Sequence, residues 1–115
     1  MNTNYGLEKE WEAAGTRKGE CILERRGYGR YIHKIRSEDM LDVQAIEIFE
    51  GQWDRNCLEG YGRHIDCKGN MYMGEFSNGM KEHQGLYLFA DGDTYQGQWH
   101  KNKFHGMGTY MYKKT

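Results

Sequence analysis

One short motif recurs three times along the chain: an aromatic residue, glycine two positions later and a second aromatic residue two positions after that. The copies begin at Phe49, Tyr72 and Tyr95, an interval of 23 residues in both cases. Spacing of i, i+2 and i+4 is the period of a β-strand with one buried face. Glycine at this frequency disfavours a helix. The motif therefore predicts a repeat protein built from strands.

Each unit also contains a second glycine-bearing stretch that follows the first at a regular distance. Gly62, Gly85 and Gly108 occupy the same position within this stretch in the three units. A glycine inside a strand weakens it unless something fills the space that it leaves, so these positions predict grooves for neighbouring rings. We therefore predict one hairpin per unit, with Trp53, Phe76 and Trp99 packing toward glycines of an adjacent strand.

The segments between the strands contain residues typical of turns. The predicted hairpin loops cover residues 54–59, 77–84 and 100–105. Lys68-Gly69-Asn70 and Asp91-Gly92-Asp93 supply turn residues between units. Gly92 is expected to take a positive φ, a conformation that has no steric cost for glycine.

These residues resemble the MORN (membrane occupation and recognition nexus) repeat, which reads approximately Tyr-x-Gly-x-Trp, a loop, His-Gly-x-Gly-x-Tyr and a turn. The third unit matches it at Tyr95, Gly97, Trp99, His105, Gly106, Gly108 and Tyr110. The second unit has Glu82 and His83 in place of His-Gly, so its second strand is predicted to be displaced or bulged. The first unit differs at three positions, Phe49, Glu59 and His64. The resemblance covers about residues 48 to 112.

Upstream, residues 27–31 repeat the pattern of residues 60–64, but 33 residues earlier, which implies an insertion of about ten residues. Ser37–Ile46 fits this excess as a short helix or a long loop, with Ser37 as a helix N-cap. Gly19–Leu23 is a candidate first strand of the degenerate repeat. Leu7–Ala14 favours a helix that ends at Gly15 and caps the sheet.

The predicted fold is mainly β, an open antiparallel β-meander of consecutive MORN-type hairpins with a short N-terminal helix and a helical or loop insertion. The predicted divisions are a helical cap at 1–15, a degenerate first repeat at 16–36, an insertion at 37–47 and three repeats at 48–115.

The overall charge is balanced, with 16 basic and 17 acidic residues, so a nucleic-acid partner is not expected. Residues 25 to 36 are a local exception, because they contain no acidic residue. The basic residues of this stretch are Arg25, Arg26, Arg30, Lys34 and Arg36. They are a candidate surface for acidic phospholipid, and the alternative is a solvated outer strand.

Neither catalysis nor a cofactor is predicted. His64, Asp66 and Cys67 form the nearest candidate constellation, but adjacent residues on a strand face opposite sides. His64 also stands where other units carry tyrosine, so it is predicted to substitute structurally for an aromatic ring. The chain has three cysteines without Cys-x-x-Cys spacing, which indicates neither a disulfide framework nor a metal site and fits a reducing compartment. The sequence shows no secretory or transmembrane signal.

Aromatic residues are the strongest candidates for a binding surface. Those predicted to contact a partner are Phe49, Trp53, Tyr72, Phe76, Tyr95, Trp99 and Tyr110. About half of these rings are expected to pack on one another, and the rest would form an exposed strip that receives a helix or an extended peptide. A single sheet with 37% hydrophobic residues has a thin core, which favours stabilisation by a protein partner or by another copy.

The sequence therefore predicts a noncatalytic scaffold subunit of a multisubunit assembly. The resemblance implies several settings, of which a cytoskeletal or ciliary assembly, such as an axoneme with radial spokes, is favoured. One alternative is an accessory subunit of an organellar complex, such as a mitochondrial one. The other is a peripheral membrane module that binds acidic phospholipids.

Overall fold

The structure, a computed structural model, describes residues 7–13, 25–36 and 43–114, with side chains for 25–36 and 45–114. Within these ranges eight strands form one antiparallel sheet in sequence order. The strands are β1 (Leu7–Ala13), β2 (Gly27–Arg36), β3 (Val43–Asp54), β4 (Cys57–Ile65), β5 (Met71–Ser77), β6 (Met80–Leu88), β7 (Thr94–His100) and β8 (Lys103–Met111). This arrangement confirms the predicted open antiparallel meander. The described residues include no helix long and apolar enough to cross a bilayer.

The three hairpins of the repeat region close through turns of only two residues. They are Arg55-Asn56, Asn78-Gly79 and Lys101-Asn102, and all six residues have a positive φ, between 49° and 77°. Positive φ at both central residues defines the type I′ turn, whose twist matches that of the flanking strands. The predicted loops of six to eight residues are therefore wrong, since the strands continue to the turns. Asn78-Gly79 was a recognisable signal for such a turn.

Longer connections between units are closed by aspartate side chains. The Asp66 carboxylate accepts hydrogen bonds from the backbone N–H groups of Lys68, at 2.9 Å, and Asn70, at 3.0 Å. Asp91 accepts one from the Asp93 N–H at 2.9 Å. Gly92 has a φ of 103°, which confirms the predicted left-handed conformation.

A register irregularity occurs at the same place in every hairpin of the repeat region. It lies between Gly51 and Trp53, between Gly74 and Phe76, and between Gly97 and Trp99. In the opposing strands Gly60, His83 and Gly106 have positive φ values of 83°, 61° and 55°. The bulge predicted for the second unit is thus present, but all three units share it, because His83 adopts the conformation that glycine provides elsewhere.

His83 is therefore expected to reduce stability. A side chain in the left-handed region costs roughly 1–2 kcal/mol, and glycine regains part of that while adding freedom to the unfolded chain. We expect His83→Gly to raise the free energy of unfolding by about 0.5 to 1 kcal/mol in urea denaturation. The reciprocal variant Gly60→His should lower it by a similar amount, because nothing lies within 4 Å of a Cβ atom added at Gly60. A destabilising His83→Gly would contradict this explanation.

The N-terminal part differs from the sequence prediction. Leu7–Ala13 forms β1 and pairs with β2, where the sequence predicted most of a helical cap. In this segment Leu7, Lys9, Trp11 and Ala13 alternate with three glutamates. This period of two suits a strand, and β2 offers backbone hydrogen-bonding groups that an isolated sequence does not reveal.

The insertion is also shorter than predicted, because residues 43–46 belong to β3. Residues 37–42, the candidate strand Gly19–Leu23 and the rest of the predicted cap lie outside the described residues.

Register alignment places one aromatic or histidine ring of each strand from β2 to β8 in a single row across the sheet. We call it the aromatic row, and its members are Tyr31, Phe49, His64, Tyr72, Tyr87, Tyr95 and Tyr110. The sheet face that carries these rings is called the aromatic face below. The buried core also lies on this face and consists of Trp53, Leu58, Tyr72, Phe76, Tyr95 and Trp99. Packing within a single sheet therefore depends on rings lying against strands.

Candidate functional site

Two tyrosines of the aromatic row lie directly over glycines of the next strand. A Cβ atom added to Gly85 would collide with the Tyr72 ring, and one added to Gly108 would collide with the Tyr95 ring. The Tyr72 hydroxyl donates a hydrogen bond to the Glu75 carbonyl at 2.7 Å. The Tyr95 hydroxyl does the same to a carbonyl three residues later, at 2.8 Å. Each ring is thus held in place both by packing against a glycine and by the hydrogen bond of its hydroxyl group.

Both core tryptophans contact glycines through their indole nitrogens. Trp53 Nε1 donates to the Gly29 carbonyl at 3.0 Å, and Trp99 Nε1 donates to the Gly85 carbonyl at 3.1 Å. In the middle unit the Phe76 ring packs against Gly62, where an added Cβ would lie only 3.2 Å from the ring edge. These contacts confirm the predicted packing of the three motif-ending rings toward glycines.

The structure brings all seven predicted partner-binding residues to the aromatic face, but it buries most of them. Trp53, Tyr72, Phe76, Tyr95 and Trp99 are at most 7% exposed. Phe49 is half-buried, and Tyr110 is 38% exposed. More rings are self-packed than the predicted half, because each fills a glycine gap in its own sheet. A partner-binding role for the buried five stays a prediction, and Tyr110 has the most accessible surface.

A groove at the C-terminal end of the aromatic face remains open. Its volume is ≈ 400 Å³. It is lined by Lys81, Tyr87, Phe89, Trp99, Asn102, Lys103 and Phe104, and is called the C-terminal groove below. Phe104 is 48% exposed and stacks on Tyr95 with ring centroids 4.1 Å apart. An apolar lining with two lysines suits an apolar segment that also carries acidic groups.

Of the four ring residues that line this groove, sequence reasoning predicted Trp99 as a binding residue and missed Tyr87, Phe89 and Phe104. Tyr87 and Phe89 follow Gly85 at i+2 and i+4, so the alternation that revealed the motif also included them. Phe104 follows the two-residue turn after β7, and its position was assigned to a loop. Tyr110 borders these rings, 5.5 Å from Phe89 between centroids, and its hydroxyl donates to Asp93 at 2.8 Å. That hydrogen bond is the largest of several effects, including desolvation and the charges of Asp93 and Asp91, that together raise the pKa of Tyr110 to about 12.

A smaller groove of ≈ 200 Å³ lies at the other end of the aromatic face, beside Tyr31, Phe49 and Trp53. The Arg25 guanidinium covers part of it, 4.4 Å from the Tyr31 ring centroid and 5.3 Å from that of Trp53. Cation–π contacts of this kind stabilise a ring while leaving the cation near water. Arg25 therefore packs on the core, a role that its position in a basic run did not indicate.

The other basic residues predicted to form an anionic-binding surface lie on or beside β2. This strand is not the outer strand that the alternative reading expected, because β1 pairs with it. In the register of that pair, Lys34 stands opposite Glu8 and Arg30 opposite Glu12. The local positive charge is consequently lower than the sequence of β2 alone suggests. Phospholipid binding by Arg25, Arg26, Arg30, Lys34 and Arg36 stays a prediction.

His64 has the structural role predicted for it. Its ring stacks on Phe49 with centroids 4.3 Å apart and an interplanar angle of 7°. His64 Nε2 lies 2.7 Å from Glu47 Oε1, and Nδ1 lies 3.5 Å from the Lys81 ammonium nitrogen. A neutral imidazole satisfies both contacts, since Nε2–H donates to the carboxylate and Nδ1 accepts from the ammonium group.

Burial lowers the pKa of His64 below its ordinary value of 6.5, and the Lys81 charge acts in the same direction against the opposing effect of Glu47. Burial also lowers the pKa of Lys81. The unfolded chain therefore binds a proton at His64 more readily than the folded chain does. Stability from this group is fully present above pH 6.5 and is lost as pH falls through that value toward the folded pKa.

We accordingly expect the free energy of unfolding to fall below pH 6.5, and His64→Tyr to remove part of that dependence. Tyrosine occupies the same row position at Tyr87 and Tyr110, so the variant should fold. Urea denaturation of both proteins at several pH values between about 5 and 8, the range in which histidine titrates, measures the difference. Parallel curves would contradict the assigned role of His64.

Comparison with known proteins agrees with this repeat geometry. The family model described as "MORN repeat" matches residues 49–71, 72–94 and 95–114, which together make up more than half of the chain. The three matches start at Phe49, Tyr72 and Tyr95, the first residues of the recurring motif. No curated protein matches the chain.

Proposed function

The chain belongs to the MORN repeat family, and on that basis we propose that it is a noncatalytic protein-binding subunit that holds a partner on its aromatic face. The observation that carries this proposal is the C-terminal groove, where exposed rings continue directly from the buried core. Exposed apolar surface next to rigid aromatic residues is typical of interaction sites.

The floor of the groove is already in place without a partner. Trp99 is 4% exposed, and its indole donates to the Gly85 carbonyl. Phe104 is held between Tyr95 and Trp99, with centroid distances of 4.1 and 4.9 Å. Binding would therefore immobilise few additional side chains, which reduces the entropic cost of association.

Charge restricts the partner further. Lys81 and Lys103 are the charged residues among those that line the groove. Lys81 is half-buried and lies 5.4 Å from the centre of the Tyr72 ring. A partner carboxylate would compensate this partly desolvated cation. We therefore propose a helix or extended segment with apolar residues and at least one acidic residue.

Co-purification of partners with tagged variants tests the proposal. We expect Phe104→Ala to lose the stoichiometric partners of the unmodified chain, because it removes one wall of the groove. Tyr61→Ala is the matched control, since Tyr61 is 73% exposed and does not line this groove. Circular dichroism would establish that both variants retain β structure. If Phe104→Ala kept the same partners, or if only Tyr61→Ala lost them, the binding site would lie outside the C-terminal groove.

For the assembly itself we propose a cytoskeletal or ciliary setting, with an organellar complex such as a mitochondrial one as the alternative. Family analogy is the support for this part. The thiols of Cys57 and Cys67 are free, which is compatible with a reducing compartment. Mass spectrometry of the co-purified set would distinguish the settings, because axonemal, cytoskeletal and mitochondrial proteins are readily told apart.

A second candidate function is binding of acidic phospholipids, for which the basic residues of and around β2 are the support. Arg30 and Lys34 lie on one face of this strand, because Lys34 is at position i+4 from Arg30 and side chains alternate between faces. Cosedimentation with anionic vesicles should decrease with salt and with Arg26, Arg30 and Lys34 changed to glutamate. Sedimentation that neither salt nor these changes affect would exclude this function.

A further inference from the structure

The outermost strands of the described sheet are β1 and β8, and their sequences carry opposite charge. At one edge, β1 contains three glutamates and one lysine. At the other edge, β8 contains Lys103 and no acidic residue, and Lys113 and Lys114 follow shortly after it. No acidic residue follows Asp93 in the sequence.

The edge formed by β8 is also accessible and apolar. All residues from 101 to 114 are exposed. Among them, Met107, Met111 and Tyr112 are 81%, 62% and 78% exposed. An edge strand presents unpaired N–H and C=O groups to any strand that can approach, and charged side chains and proline are two of the features that limit such pairing. The chain has no proline, and the lysines beside this edge favour an acidic strand as its partner over a basic one.

We propose that copies of this chain associate head to tail, with β8 of one copy pairing antiparallel to β1 of the next. Because strands alternate in direction along the sheet, β1 of a second copy can continue the alternation after β8. Two β8 strands would bring lysines together, and two β1 strands would bring glutamates together. Opposite charges therefore select the mixed pair over either like pair.

The aromatic row specifies a register for this contact. In the register of the β1–β2 pair, Trp11 stands opposite Tyr31, the first residue of the row. Tyr110 ends the row on β8. Pairing Trp11 of one copy with Tyr110 of another extends the row across the junction. The same register places Glu8 opposite Lys113, an arrangement in which aromatic and ionic cross-strand pairs act together.

A contact between two different edges does not close on itself. Repetition of such a heterologous interface produces an open linear array unless the rotation between copies closes a ring. This inference goes beyond the proposed function, because it uses the sheet edges, whereas partner binding uses the C-terminal groove. Head-to-tail arrays would present many copies of that groove along one structure.

Sedimentation velocity of the full chain across a concentration series tests the proposal. We expect the average mass to rise continuously with concentration and to fall at high salt, since salt screens the edge charges. A monomer at every concentration reaching the millimolar range, or a dimer that grows no further, would overturn head-to-tail assembly.

Charge exchange tests the register. Glu8→Lys alone and Lys113→Glu alone should each weaken association by about tenfold, because each replaces an attractive pair with a repulsive one. A chain carrying both changes should regain association, because the exchanged side chains again carry opposite charges across the junction. A double variant as weak as the single variants would contradict the proposed register.

Cross-linking provides a readout that does not depend on variants. A zero-length carboxylate–amine reagent applied to a mixture of isotopically light and heavy copies should join Glu8 to Lys113 between copies. Links formed only within one copy would overturn the proposal. Lys113 does not line the C-terminal groove, so Lys113→Glu should retain partner co-purification even if head-to-tail assembly fails. The two hypotheses can thus fail separately.

Discussion

Gly85→Ala is expected to lower the free energy of unfolding by about 3 kcal/mol, the upper part of the range for overpacking a core. A Cβ atom at this position would overlap the edge and hydroxyl of the Tyr72 ring. Tyr72 cannot move aside easily, because it is 0% exposed and its hydroxyl donates to the Glu75 carbonyl. Urea denaturation followed by tryptophan fluorescence would measure the loss.

Gly60→Ala is the control that separates collision from backbone strain. Gly60 has a φ of 83°, but nothing lies within 4 Å of a Cβ built there. We expect this variant to lose only about 1 kcal/mol, the cost of a left-handed alanine. A loss for Gly85→Ala no larger than that for Gly60→Ala would mean that the ring is not fixed as described.

The second large effect is expected for Tyr72→Ala, at about 4 kcal/mol, because truncating a fully buried ring leaves a cavity. The Tyr72 ring contacts Phe76 and Trp99 edge-on, with centroids 5.0 and 5.1 Å away. A loss of this size is a large part of the roughly 5–15 kcal/mol by which domains are usually stable. Urea denaturation of Tyr72→Ala at low temperature would measure this loss and would show whether the variant is already partly unfolded without urea.

Two further variants assign this loss to the ring. Burial raises the pKa of Tyr72, so its hydroxyl stays protonated and able to donate. Tyr72→Phe should therefore cost only about 1 kcal/mol, the usual net value of one hydrogen bond. Tyr61→Ala, at a 73% exposed ring, should change stability by less than about 0.5 kcal/mol. Equal losses for Tyr61→Ala and Tyr72→Ala would contradict the assignment of the core.

Together these variants test whether the repeats are stabilised chiefly by rings that lie over glycines. Neighbouring hairpins are also joined by hydrogen bonds from turn to strand. The Gly79 N–H donates to the Leu58 carbonyl at 3.0 Å and the Asn102 N–H to the Lys81 carbonyl at 3.1 Å, and each acceptor belongs to the preceding hairpin. The Asn56 N–H donates to the Arg25 carbonyl, which precedes β2, at 3.2 Å. Such nearest-neighbour links are the source of cooperativity in repeat proteins. Loss of Tyr72 should consequently destabilise the units on both sides of it.

The sequence by itself determined the repeat, the hairpins and their antiparallel order. These features follow from local rules: side chains alternate along a strand, and glycine recurs where a ring needs space. The same rules identified His64 as a replacement for an aromatic ring, which its stacking on Phe49 confirms. They also indicated the left-handed conformation of Gly92.

Only the tertiary structure decided which rings are buried and which remain accessible. That division depends on register between strands, which sets Tyr72 over Gly85 and leaves Phe104 at an open edge. It likewise brought Glu47 and Lys81 to His64, each from 17 residues away, and Arg25 onto Tyr31. A pattern along one strand specifies the face of a residue, but contacts between strands depend on how the whole sheet pairs.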